Sequence, residues 1–481
     1  MQYHSTRGLF PEVDSAQAVL NGLATDGGLY LPAQIPDFCW EECVKSDTLS
    51  MAEMLLSAFL PDIPDMGALV KKAYTGKFET EDLTPTVPAG EFYVLELFRG
   101  PTSAFKDVAL SMLPQLMTAA RAVKGEKEDI LILTATSGDT GKAALEGFKD
   151  VDGIRICVFY PHGGVSDVQR RQMVSQEGKN VTVCAVRGNF DDAQTGVKNI
   201  FTAAREQNLP LNLSSANSIN IGRLVPQVTY YFKAYRDILD AGKIQMGEEV
   251  NFSVPTGNFG DILAGYLAKR LGLPVGKLIC ASNANNVLTD FIQTGVYDRR
   301  RTLYKTESPS MDILVSSNLE RLLYLMSDDC NLVAKLMNDL NSQGHYQVPE
   351  ALLEEIQRQF WAGWCDDARG AETIAKVWKE NGYLCDTHTA SGWAVAQDYV
   401  NQTGDDRPMI VLSTASPYKF PAAVLSAIGE TANGDEFDQL EQLNAVTGVA
   451  IPKNLAALRT KPELHKSVID KDKMLDFVLA L

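Results

Sequence analysis

Two stretches of this chain run from an apolar segment into a glycine-rich turn and then into an amphipathic segment. That plan, met twice, constrains the fold more than any other feature. In "DILILTATSGDTGKAALEGF" the residues from Ile130 to Ala135 read as a buried strand, Ser137 to Gly141 as a turn, and the remainder as a helix to Phe148. In "EEVNFSVPTGNFGDILAGYLAKRLGLP" Val250, Phe252 and Val254 alternate, Gly257 to Gly260 turn, and a helix from Ile262 onward is stopped by Gly272 and Pro274. "IRICVFYP" and "RPMIVLSTASP" supply further strands, each followed by turn residues. Strands alternating with helices imply an α/β fold around parallel sheet, with sites at the strand ends.

At 481 residues the chain exceeds one ordinary core, so two or three domains are expected. Residues 1–85, running into the proline-rich "LTPTVPAG", read as an N-terminal unit packed on the main body. Between about 285 and 380 charge and helical patterning rise, and "LERLLYLMSDDCNLVAKLMNDL" and "PEALLEEIQRQFWAGW" read as amphipathic helices of an insertion or cover. Acidic residues outnumber basic ones by 61 to 44, and the formal charge of −17 argues against a surface made for nucleic acid or anionic membrane. No stretch reaches the roughly 18 apolar residues needed to cross a bilayer, and the first twenty residues resemble no targeting signal. A cytoplasmic location follows as an expectation. The eight cysteines are scattered, with Cys39 and Cys43 the one close pair, so buried free thiols are expected and no metal site is suggested.

In "FRGPTSAFKDVAL" a lysine interrupts an apolar helical stripe formed by Ala104, Phe105, Val108, Ala109, Met112, Leu113 and Leu116. Lys106 either lays its stem along the core edge with the ammonium in water, or is held neutral as a nucleophile able to form a Schiff base with a carbonyl cofactor. Ser103, three residues earlier, reads as the helix cap, which puts Lys106 in the first turn.

Three polar clusters bear on that choice. "PTGNFGD", residues 255–261, sets backbone N–H groups at a helix start with little bulk in the way, which is an anion cradle; the alternative is a turn that merely needs glycine. It matches neither G-x-G-x-x-G nor the G-K-[ST] of a triphosphate loop. "TSGDTGK", residues 136–142, offers the Ser137 and Thr140 hydroxyls and the acid Asp139, and Ser137 or Asp139 could equally serve as an N-cap. "NSINIGR" brings Asn217, Ser218 and Arg223 together, where the arginine either forks onto a phosphate or pairs with a surface acid. A nucleophilic lysine, two anion loops and an arginine suit a cofactor with both an aldehyde and a phosphate, and pyridoxal phosphate has both.

"GPTSAFKD", "TSGDTG", "NSIN" with Arg223 downstream, "PTGNFGDILAGY" and "LSTASPYKF", in this order and after the opening "YHSTRG", resemble the threonine synthase family of fold type II pyridoxal-phosphate enzymes. The resemblance runs from near residue 3 to about residue 420. It implies that Lys106 carries the cofactor as a Schiff base, that Gly257, Asn258, Phe259, Gly260 and Asp261 cradle the cofactor phosphate, and that Thr414 faces the pyridine nitrogen. It further implies a substrate site among Ser137, Asp139, Thr140, Asn217, Ser218 and Arg223. A large cofactor domain would comprise residues 86–125 and 200–481, with 126–199 as a smaller domain closing over the substrate. The implied reaction converts O-phospho-L-homoserine and water to L-threonine and phosphate by γ-elimination and β-addition, with Lys106 moving the α- and β-protons, in a monomer or homodimer. Ser416 stands where many relatives have histidine, so that residue's role does not carry over. His4 and His388 lie in family motifs but stay outside the catalytic set. A threonine or serine dehydratase of the same fold, and a non-catalytic paralogue, are the alternatives.

Overall fold

The computed structural model describes residues 1–8, 11–136, 138–207 and 209–481. Its centre is a six-stranded sheet in the order Phe360–Trp364, Val275–Ser282, Val250–Pro255, Met409–Ser413, Phe92–Glu96 and Thr86–Ala89. All neighbours are parallel except the last pair. Successive residues point to opposite faces, and both faces are covered. Leu278, Cys280, Ile410 and Leu412 join the core that holds helix Gly260–Arg270, while Ile279, Ala281 and Val411 pack with helix Thr387–Thr403.

A second sheet, parallel throughout, has the order Ser467–Asp470, Val181–Arg187, Ile154–Pro161, Ile130–Ala135 and Leu213–Ser214. Its helix Asp139–Phe148 packs on helix Lys106–Lys124, which is buried without a break from Lys106 to Met117 and also supports helix Ser15–Asn21 of the N-terminal unit. Gly147 permits this approach, since a Cβ there would stand 2.0 Å from the Leu110 carbonyl oxygen. The long helix is thus the shared wall of all three parts of the molecule.

Both strand–turn–helix units form as the sequence implies, with strands at Ile130–Ala135 and Val250–Pro255 and helices at Asp139–Phe148 and Gly260–Arg270. Three other readings change. The small sheet takes two strands from outside 126–199, because the edge of Val181–Arg187 is completed by Ser467–Asp470 and that of Ile130–Ala135 by Leu213–Ser214. The helix read over "PEALLEEIQRQFWAGW" stops at Gln359, and Phe360–Trp364 becomes an edge strand beside Val275–Ser282, where aromatic residues fit a pleated surface. "LERLLYLMSDDCNLVAKLMNDL" divides into Leu319–Ser327 and Cys330–Gln343 at left-handed Asp328, and Asp329 caps the second helix by accepting from the Asn331 and Leu332 N–H groups.

Candidate active site

Lys106 is the first residue of its helix, and the chain leading into it is fixed to the end of strand Met409–Ser413. Phe105 N–H donates to the Thr414 carbonyl at 2.9 Å, and Ser416 N–H to the Ser103 carbonyl at 3.1 Å. Ser103 does not cap the helix: it is left-handed, with φ of 60°, and its hydroxyl is engaged with Asn454. No side chain caps the helix; Asp107 instead reaches back from its first turn and fixes the chain before it, accepting from Thr102 N–H at 2.8 Å and from the Thr102 hydroxyl at 2.5 Å. The consequence is a lysine held at a helix start rather than splayed over its surface.

Only 9% of Lys106 is exposed. Burial pushes its amine down to about 8, against the pull of Asp139. Nζ lies 4.8 Å from the Phe105 ring centroid, and among the described residues its one hydrogen bond goes to Ser310 Oγ at 3.4 Å. A lysine so placed has the lowered proton affinity that a nucleophile or base near neutral pH requires.

The loop at 255–261 faces this amine. Phe259 has φ of 63° and sends its ring into the core, 5.7 Å from that of Phe360, so it serves the loop through its backbone alone. No acceptor among the described residues meets the N–H groups of residues 257–260, which stand at the start of helix Gly260–Arg270. A Cβ on Gly257 would stand 2.5 Å from the Ser310 carbonyl oxygen, so only glycine fits. Asp261 is buried, and burial pushes its carboxyl up to about 6 even though Oδ1 accepts the Ile262 N–H at 2.9 Å.

One cleft gathers Lys106, Gly257, Asn258, Gly260, Asp261 and Thr414 with Thr140, Asn217, Ser218 and Arg223. Arg223 is 3% exposed, donates through Nη1 to the Ala216 carbonyl at 2.8 Å, and leaves Nε without a partner. No carboxylate pairs with it among the described residues, and burial pushes its guanidinium down to about 10. A buried cation in this condition calls for an anion.

Three expected residues do not line this cleft with a side chain among the described residues. Phe259 is in the core, Ser137 lies outside the described residues, and Asp139 is tied beside the cleft in an ion pair with Lys419 Nζ at 2.5 Å, also accepting from Gln169 Nε2 at 3.0 Å. The cleft also contains Phe105, Gln227, Ser310, Met311 and His388, which residue pattern did not select. Of these Phe105 stood in the motif "GPTSAFKD" and His388 in "CDTHTASG". His4 is remote, packed edge-on to Tyr324 at 4.9 Å. Ser416 is buried and accepts the Tyr418 N–H at 3.3 Å, capping the short turn Pro417–Lys419.

Residues 2–74 match the family profile "Threonine synthase N terminus", 77–335 "Pyridoxal-phosphate dependent enzyme" and 389–475 "Threonine synthase, C-terminal". Threonine synthase of Pseudomonas aeruginosa is 41% identical over 438 residues, which cover 89% of this chain and 90% of that protein. The chain belongs to the threonine synthase family. A crystal structure of pyridoxal-phosphate-bound threonine synthase from Brucella melitensis superposes with a TM-score of 0.89 at 39% identity, covering 99% of this chain and 98% of the other. Human threonine synthase-like 1 is 39% identical over 95% of this chain, which spans 62% of the length of that relative.

The cofactor of this family group is pyridoxal phosphate, and the cleft of this chain fits it. The Lys106 amine of lowered proton affinity suits the aldehyde, the N–H groups at 257–260 suit the phosphate, and Thr414 borders the same cleft. Glycine at 257 lets the loop lie against the Ser310 carbonyl, which a side chain there would push away.

Proposed function

We propose that the protein converts O-phospho-L-homoserine and water to L-threonine and phosphate, acting as a pyridoxal-phosphate-dependent carbon–oxygen lyase on a phosphate ester. The observation that carries this reading is Arg223, a buried guanidinium with no carboxylate partner among the described residues, in a cleft whose cradle at 257–260 supplies a separate place for an anion. Two anion positions flank one amine, as a phosphorylated substrate on a phosphorylated cofactor requires. A dehydratase substrate brings only its carboxylate to this second position, whereas O-phospho-L-homoserine brings a carboxylate and a phosphate to the cluster of Thr140, Asn217, Ser218 and Arg223.

Bound at Lys106, the cofactor supplies the electron-withdrawing system that acidifies the substrate's α-carbon. The chain's own residues do the rest. Lys106 would act as the base, since burial in the cleft lowers the proton affinity of Nζ to about 8, where it can take a proton and return it near neutral pH. Thr414 offers a hydroxyl rather than a carboxylate, which leaves more of the proton handling to the lysine. Thr140, Asn217 and Ser218 border the cleft with Arg223 and orient the substrate's carboxylate and phosphate. The unit at 126–199, with its two added strands, presents Thr140 and acts as the substrate cover. A cytoplasmic setting accords with eight free cysteines, six of them buried.

The test is direct. Purified protein loaded with pyridoxal phosphate should release phosphate and form threonine from O-phospho-L-homoserine, and borohydride should fix the cofactor on Lys106. Conversion of threonine or serine to a ketoacid, with no phosphate release, would establish the dehydratase instead.

A further inference from the structure

The segment from Thr306 to Asp312 crosses the mouth of the cofactor loop and is tied down on both sides. Asp312 Oδ1 accepts from Asn283 Nδ2 at 2.8 Å, Asn285 Nδ2 at 3.0 Å and the Thr306 hydroxyl at 2.7 Å, which fixes the strap to the end of strand Val275–Ser282. On its other side Ser310 N–H donates to His388 Nε2 at 3.2 Å, and His388 Nδ1 pairs with Asp386 Oδ2 at 2.7 Å. An Nε2 that accepts must be unprotonated, so the proton is on Nδ1 and is donated to Asp386. Both His388 and Asp386 are buried, and Asp386 is itself fixed as the cap of helix Thr387–Thr403. The strap therefore has one orientation. In that orientation Ser310 Oγ meets Lys106 Nζ at 3.4 Å and has no other partner among the described residues.

We propose that Ser310 is the hydroxyl partner of the Lys106 amine, and that the Asp386–His388 pair is a positioning device that holds it there. The inference rests on Lys106 being the cofactor lysine. A hydroxyl can accept from an ammonium and donate to a neutral amine without moving its oxygen, so it keeps Nζ in place through both states of proton transfer. A separation of 3.4 Å suits a contact that tightens when cofactor and substrate are present. His388 touches no reacting atom. Its effect passes through one backbone N–H.

The experiment uses the full chain loaded with pyridoxal phosphate and its Ser310→Ala, His388→Leu, His388→Gln and Ser310→Ala/His388→Leu variants, with Lys106→Ala as control. Two quantities are read: kcat and KM with O-phospho-L-homoserine, and the rate at which the visible band returns when cofactor-stripped chain is mixed with pyridoxal phosphate. Ser310→Ala should lower kcat about tenfold with KM within about twofold, and should slow the return of the band similarly. His388→Leu should do the same, and the double variant should be no worse than either single one. His388→Gln keeps an acceptor for Ser310 N–H and should recover most of both rates. Ser310→Ala matching the parent within about twofold in both readouts overturns the proposal, as does a double variant whose losses multiply. Should the His388 variants fail to fold, Ser310→Ala against Ser310→Thr decides: a slow alanine variant with a fast threonine variant supports the hydroxyl, and equal rates reject it. A visible band that survives Lys106→Ala would defeat the cofactor assignment itself. Its loss there, beside an unaltered Ser310→Ala, would defeat this inference alone.

Discussion

Asp139 and Asp261 each lie in the first turn of a helix that follows a strand and a glycine turn, and both are buried, yet their carboxyls shift in opposite directions. At Asp139 burial pushes the proton affinity up, but the charges of Lys419 and Lys106 and the hydrogen bonds from Lys419 and Gln169 outweigh it and hold the group well below the usual carboxylate range. At Asp261 burial dominates and carries the group up to about 6, with backbone N–H groups and Lys106 offsetting it only in part. The same local plan thus yields a permanent charge in one place and a titrating group in the other. The first fastens the small sheet's helix to the segment Pro417–Lys419, while the second leaves the helix start beside it free to receive an anion.

The largest test removes the partner that distinguishes them. Lys419→Met leaves Asp139 buried with only the charge of Lys106 and the Gln169 hydrogen bond to offset its burial, and should cost about 3–5 kcal/mol, read as an earlier denaturation midpoint. Adding Asp139→Asn should restore most of it. A Lys419→Met chain as stable as the parent would show that the two turns do not differ in the way described. Next comes pH. The folded-state affinity of Asp261 is raised, so the native chain binds more protons than the unfolded one between about 4 and about 6, and stability falls as pH rises through that window. Asp261→Asn should therefore stabilise the cofactor-free chain by about 3 kcal/mol at pH 7 and by little at pH 4, in denaturation at each pH. Asp139, with its affinity depressed, behaves oppositely: its contribution is present above the usual carboxylate range and is lost as pH falls below it.

Gly257→Ala probes the open turn. Its Cβ would press on the Ser310 carbonyl, and about 1–3 kcal/mol of overpacking should appear as a 10- to 100-fold loss in cofactor affinity by spectroscopic titration. The smallest effect belongs to Ser416→Ala, which removes the cap of the turn carrying Lys419. A loss of about 1 kcal/mol or less in denaturation is expected, and a larger one would mean that the ion pair depends on that cap.

How much of this was legible beforehand follows the range of the interactions. Both strand–turn–helix units were readable because apolar periodicity and glycine placement act within a few residues. Lys106, the loop at 257–260, Thr414 and Arg223 were readable as a set through ordered motifs, and the structure brings them to one cleft. Ser103 misled because a serine three residues before a helix looks like a cap, whereas here the backbone turns left-handed and Asp107 reaches back instead. Lys419, Ser310 and His388 were not selected, since each acquires its meaning from a partner far along the chain: Asp139, Lys106 and Ser310 respectively. The strand Phe360–Trp364 was hidden for a similar reason. Its extended form is set by an open sheet edge, and five residues carry too short a pattern to announce it.

The strand Ser467–Asp470 has a consequence for self-association. It covers the flank of Val181–Arg187, a strand carrying Val181, Val183 and Val186 that would otherwise present a row of unpaired N–H and C=O groups to any passing chain. The opposite flank is closed by Leu213–Ser214, two residues long and too short to template a further strand. A chain shortened before Ser467 would keep every residue of the cleft and lose this guard, turning a well-folded protein into a candidate for edge-to-edge assembly.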